Sequence, residues 1–295
     1  MDAKTLETLS VESATIVPQQ SAWQRVRRNG SVRLGGAVLL VLHLRRTKAD
    51  GAANAFVPVS RHGGVLLECF ALHLGLMTLG AWLSPWLGGY SGIVGYGLAV
   101  VFPLVWARLR GVRWRDFRAA TGLHRGRGVW REIGAGCVGY LGVMAVASIG
   151  IGLTLLLTLV AGAFAPVAAP GAGGGGGVPM PETHPIVGWL YEGNVWMRLA
   201  CLGLAAGVAP LSEELFFRGA LQRYFRGRFR FLPAALGTSL IFAALHPQGV
   251  LAIPALAGIG IGLSILREWR DSLIAPMTAH AINNGCLVLM LWWVL

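Results

Sequence analysis

Six side chains in the last third of the chain are of types that do acid–base and oxyanion chemistry. They are Glu213, Glu214 and Arg218 in SEELFFR, His246 in IFAALHP, and His280 with Asn284 in MTAHAINN. Glu214 and Arg218 stand at i, i+4 on one helix face, where a charge pair lowers the cost of burying both. Glu213 is turned about 100° from Glu214 and is left without that partner. His280 and Asn284 are also spaced i, i+4 and point the same way. The set thus divides into a paired Glu–Arg and an unpaired group of one Glu, two His and one Asn. A carboxylate withdrawn from bulk water suits a general base, and a histidine beside it can orient the same water or carry its proton. A second histidine and an amide offer donors to a developing oxyanion. Water activation joined to oxyanion stabilisation is what hydrolysis of an amide bond requires.

The elements that must position these groups are apolar. Of 295 residues, 55% are hydrophobic and only 13% charged, against about a quarter charged in soluble domains. The apolar residues come in blocks of membrane-spanning length, which predicts an all-α, polytopic transmembrane helix bundle of about seven spans. The spans are read at 64–83, 92–107, 132–162, 195–222, 232–246, 249–266 and 272–295, so the polar residues fall in the last four helices. The net charge of +12 is not a nucleic-acid surface, because its arginines sit in short loops between apolar blocks. The loops 108–131, 223–231 and 266–271 are basic, whereas APVAAPGAGGGGGVPMPETHP has no Lys or Arg. That alternation predicts a multi-pass protein of the plasma (inner) membrane with a cytoplasmic N-terminus and an outside C-terminus. The chain divides into an N-terminal cytoplasmic segment, 1–62, disordered and then interfacial at 34–44, and a helical membrane domain, 63–295. The glycine run 171–177 reads as a flexible outer loop. Four cysteines lie in apolar segments without a CxxC pair and read as small buried residues.

Helical rise sets the depth expected of each group. Counted from the neighbouring basic loops, Glu213 lies about 15 Å in and His280 about 13 Å. His246 comes out deeper, about 24 Å, unless its short helix tilts or starts inside the membrane. That helix ends at HPQG, and a helix stopping inside a bilayer needs protein or a wet cavity over its end.

The three motifs resemble those of the CPBP family of intramembrane glutamic endopeptidases, which includes CAAX prenyl proteases and bacteriocin-processing or immunity proteins. The family's EExxxR is here EELFFR (213–218), its FxxxH is FAALH (242–246) and its HxxxN is HAINN (280–284). Their order on successive spans fits as well, with a plain helix between the second and third. The resemblance implies that Glu213 activates water with His246 as partner, that His280 and Asn284 are oxyanion donors, and that Glu214 and Arg218 support the pocket. It implies hydrolysis of a peptide bond in a membrane-associated protein or peptide, such as a C-terminal anchor or a CAAX-like tail. No cofactor is expected. Zinc is the competing reading, but HExxH is absent and Asn is a poor zinc ligand. A second alternative is a membrane immunity or scaffold protein that acts by binding. The expected partners are membrane lipid and a peptide substrate, not nucleic acid. His43, His62, His73, His124 and His184 join no constellation and read as structural or surface residues.

Overall fold

A computed structural model describes residues 63–87, 91–163, 190 and 193–294. The segments read as an interfacial stretch (34–44) and an outer glycine loop (171–177), and the whole of 1–62, lie outside the described residues. Among the described residues all regular structure is helical. The helices are α1 (Gly63–Leu87), α2 (Ser91–Leu109), α3 (Trp114–Thr121), α4 (Val129–Ala163), α5 (Val195–Arg226), α6 (Phe231–Leu245), α7 (Ile253–Arg270) and α8 (Ile274–Val294). Five of them, α1, α4, α5, α7 and α8, are long and apolar enough to cross a membrane. Segments within α2 and the whole of α6 are apolar but shorter. The expected all-α membrane bundle is therefore found, with five full-length spans and two shorter helices where seven spans were read.

Large apolar side chains on the outer surface, including Leu141, Ile149 and Leu159 of α4, are exposed. On a bundle of this length such a surface suits lipid rather than water. The interior holds three buried apolar clusters among the described residues, the smallest joining Leu190, Cys201 and Val288. Phe70 of α1, Phe216, Phe217 and Leu221 of α5 and Phe242 of α6 form the largest one, with Phe217 set edge-on to both Phe70 and Phe242. Val143 of α4, Leu263 and Leu266 of α7 and Ala275 and Ala279 of α8 form the second. Between α4 and α7 the backbones nearly touch. A Cβ on Gly258 would stand 3.0 Å from Ala147 Cα, and one on Gly262 would stand 2.8 Å from Val143 Cα. Small residues permit that approach, which is how membrane helices gain packing without a hydrophobic driving force.

Charge gathers at one end of the bundle. Arg110 pairs with Glu68, Arg226 with Glu268 and Arg270 with Glu132, tying α2 to α1, α5 to α7 and α7 to α4. Helix α3 lies at this end with Phe117 and Thr121 buried. It stops at Gly122 in the left-handed region (φ 82°), where the Gly122 and Leu123 N–H groups both donate to Arg118 O. That closes the last turn as a left-handed cap does. The basic stretch 108–131 is expected to set topology and to contact anionic lipid, and the structure gives part of it a further task. Gly122 O accepts from Leu273 N, His124 O accepts from Ser272 Oγ, and Thr121 O accepts from Arg267 Nη2. The α7–α8 turn is roofed by this segment, and Ser272 and Leu273 are fully buried.

Candidate active site

Helix α5 is not a uniform α-helix. It carries two π segments, Leu204–Val208 and Glu214–Leu221, with Ala209–Glu213 between them in α geometry. Such wide turns inside α-helices are frequent at functional sites. Here the second one begins between the two glutamates, Glu213 ending the α stretch and Glu214 opening the π segment. Glu214 and Arg218 are both 0% exposed in their side chains and pair at 2.8 Å, Arg218 Nη1 donating to Glu214 Oε1. Arg218 also donates from Nη2 to Gly260 O of α7 at 3.2 Å and lies over the Phe242 ring at 4.6 Å.

Glu214 does more than hold the arginine. The same Oε1 accepts from His280 Nδ1 at 2.8 Å. An ionised carboxylate only accepts, so the Nδ1 proton is on His280 and the other ring nitrogen points away from Glu214. That nitrogen, Nε2, faces Glu213 Oε2 at 3.8 Å. His246 arrives from the opposite side. It stands just past α6 in extended conformation (φ −78°, ψ 143°), because Pro247 disfavours a helical residue before it. His246 Nδ1 donates to Phe242 O at 2.7 Å, which leaves Nε2 as the acceptor, 4.0 Å from Glu213 Oε2. Phe242 sits beneath both rings, 4.2 Å from His246 and 6.0 Å from His280 between centroids.

The structure therefore brings Glu213, Glu214, Arg218, His246 and His280 into one cluster. Asn284 is placed one turn beyond His280, and its Nδ2 donates to Ala205 O in the first π segment at 3.1 Å. The depth discrepancy for His246 also has a physical reason. Helix α5 continues to Arg226, so Glu213 is about 20 Å from its end, close to the about 22 Å from Phe231 to His246. His280 is nearer its own turn, but that turn is sunk beneath the Gly122–His124 segment.

Three groups near the site were not foreseen. His73 of α1 is buried, donates from Nδ1 to Ala99 O and stacks on Phe216 at 4.2 Å. Helix α1 packs against the second π segment of α5, and α2, which carries Tyr96, touches the Ala209–Glu213 stretch, so the first two helices close the far side. A lone histidine in CFALHLGLM gives no spacing signal, and none could have found it. Asn283, beside the motif asparagine, is buried and donates to Asn284 Oδ1 at 3.2 Å.

Comparison with known proteins covers the region that carries these residues. Residues 194–286, which hold all three motifs, match the family model described as type II CAAX prenyl endopeptidase Rce1-like. The resemblance read from the motifs holds over that region. An uncharacterized 24.3 kDa protein of Escherichia coli is 36% identical over 77 residues, covering 25% of this chain and 36% of its own. The membrane-embedded CAAX protease MroQ of Staphylococcus aureus is 33% identical over 88 residues, 28% of this chain and 35% of its own. The uncharacterized protein YpbD of Bacillus subtilis is 35% identical over 77 residues, 25% of this chain and 36% of its own. The chain thus spans about a third of the length of the curated relatives it matches. No solved structure matches. These matches support a membrane endopeptidase in general terms.

Proposed function

We propose that the chain is an intramembrane endopeptidase in which Glu213 activates a water molecule. The observation that carries this reading is the meeting of Glu213 Oε2 with two imidazole Nε2 atoms, at 3.8 and 4.0 Å. Both distances exceed a direct hydrogen bond. A water held about 2.8 Å from both Glu213 Oε2 and His246 Nε2 would sit off the line joining them, the two bonds about 90° apart. That is close to the angle between its own O–H bonds. It would donate one proton to each acceptor and turn a lone pair outward.

In the reaction, Glu213 takes a proton from this water as its oxygen bonds to the scissile carbonyl carbon. His280 Nε2 and the free N–H of Asn284 then donate to the oxyanion. For Nε2 to donate while Nδ1 serves Glu214, the His280 ring holds both protons, and Glu214 balances the added charge. Glu213 passes its proton to the leaving nitrogen, the C–N bond breaks as the oxyanion re-forms a carbonyl, and a carboxylic acid and an amine result, the acid then giving its proton to the amine. Glu214 and Arg218 keep His280 aimed throughout. No cofactor takes part in this scheme.

The basic end of the bundle faces the cytoplasm in this reading, following the positive-inside bias, and the C-terminus lies outside. The substrate is a membrane-associated protein or peptide, cut near a C-terminal anchor or CAAX-like tail. The test compares the termini of membrane peptides in cells making the wild type and cells making Glu213→Gln, by mass spectrometry. Fragments present only with the wild type support proteolysis; identical fragment sets with a retained phenotype favour a binding protein. With purified protein, a chelator leaves cleavage unchanged. Loss that added zinc restores would assign the same site to a metal.

A further inference from the structure

Asn284 and Asn283 have a task that the hydrolytic scheme does not contain. In the first π segment of α5, Ala209 N–H donates to Leu204 O, one residue further back than in an α-helix. In that register the carbonyl of Ala205 should receive the N–H of residue 210. Residue 210 is proline and has none. Its α-helical alternative, the Ala209 N–H, is already used. Ala205 O is therefore a backbone acceptor that its own helix cannot satisfy, inside a membrane span where an unmet carbonyl is costly. Asn284 Nδ2 supplies the missing donor at 3.1 Å. A carbonyl only accepts, so this bond turns the Asn284 amide oxygen the other way, where Asn283 Nδ2 meets it at 3.2 Å. The helices are close here, a Cβ on Gly285 standing 3.4 Å from Ala206 Cβ.

We propose that the Asn283–Asn284 pair is a positioning clamp that locks α8 to the carbonyl orphaned by Pro210 in α5. Glu213 lies three residues beyond Pro210 and His280 four residues before Asn284, so the clamp sits about one turn from each. It sets the rotation and height of one helix against the other, and so the separation of Glu213 Oε2 from His280 Nε2. This rests on the proposed hydrolytic site, and it gives Asn284 a duty that precedes any donation to the oxyanion.

The clamp predicts coupling between Pro210 and Asn284, because Pro210→Ala restores the N–H that Ala205 O lacks in the π register. Four proteins are compared in nanodiscs: wild type, Pro210→Ala, Asn284→Ala and the double variant. Melting temperature is read alongside cleavage of a fluorophore-labelled copy of the membrane peptide that the termini comparison identifies, with kcat taken per folded molecule. Asn284→Ala should lower the melting temperature by several degrees and kcat by about thirtyfold, with KM nearly unchanged. In the Pro210→Ala background both losses should shrink, the kcat loss to under about tenfold. Equal losses in the two backgrounds would overturn the clamp and leave Asn284 acting on substrate alone. Should Asn284→Ala fail to fold, Asn283→Leu keeps the Ala205 bond and removes only the amide's orientation. It should lower kcat about fivefold at an unchanged melting temperature, and a wild-type rate overturns the part assigned to Asn283. If no wild-type cleavage is seen, the hydrolytic reading fails by itself, and coupling in melting temperature still decides the clamp.

Discussion

Among the described residues, two buried glutamates are paired with arginines, and they differ in what they leave over. At the charged end, Glu132 is saturated: Oε1 accepts from Arg270 Nη2 and the Arg127 N–H, and Oε2 from Arg270 Nε. In the interior, Glu214 spends one oxygen on both Arg218 and His280. Among the described residues its Oε2, Arg218 Nε and the neighbouring Glu213 Oε2 have no hydrogen-bond partner. A structural ion pair satisfies its atoms, because each unmet one costs free energy. A site that must receive a water and a substrate carbonyl keeps polar atoms in hand. Glu132–Arg270 fastens α4 to α7; Glu213 with its two histidines presents unspent acceptors.

Substitutions can break this contrast at either member. The largest effect on cleavage in this series is expected from His246→Ala, which removes the second acceptor of the water. The rate per folded molecule should fall by about 10²–10⁴-fold with little change in melting temperature. A fall of less than tenfold would remove His246 from the water site. Arg218→Ala acts on stability instead. It leaves Glu214 buried with only His280 beside it, at a cost of about 3–5 kcal/mol, read as lost yield and a lowered melting temperature. Normal yield would mean that Glu214 is not ionised against Arg218. Glu132→Gln sharpens the comparison from the other side. It should cost about 1–3 kcal/mol of stability, since the amide oxygen still accepts while the charge is lost, and cleavage per folded molecule stays within about twofold. A cleavage defect there would tie the charged end to the reaction.

The membrane bundle was legible because apolar block length and loop charge are local properties, and EELFFR, FAALH and HAINN each state their chemistry within one turn or two. The shared use of Glu214 by Arg218 and His280 was not legible, since spacing gives the i, i+4 pair but not a third partner from a helix 66 residues away. Nor was the sunken α7–α8 turn, whose roof is made by residues 146 and 148 positions earlier in the chain. The Pro210 signal stood in plain view within GVAPLSEE. Its meaning depends on which register α5 adopts, and only coordinates give that.

The central claim is that the carboxylate of Glu213 activates the attacking water. Purified Glu213→Gln in proteoliposomes, matched to the wild type in helix content and melting temperature, tests it directly against a membrane peptide that the wild type cuts. The account predicts that cleavage falls by at least about a thousandfold, because an amide cannot take the water's proton. A Gln variant that cuts within tenfold of the wild-type rate contradicts it.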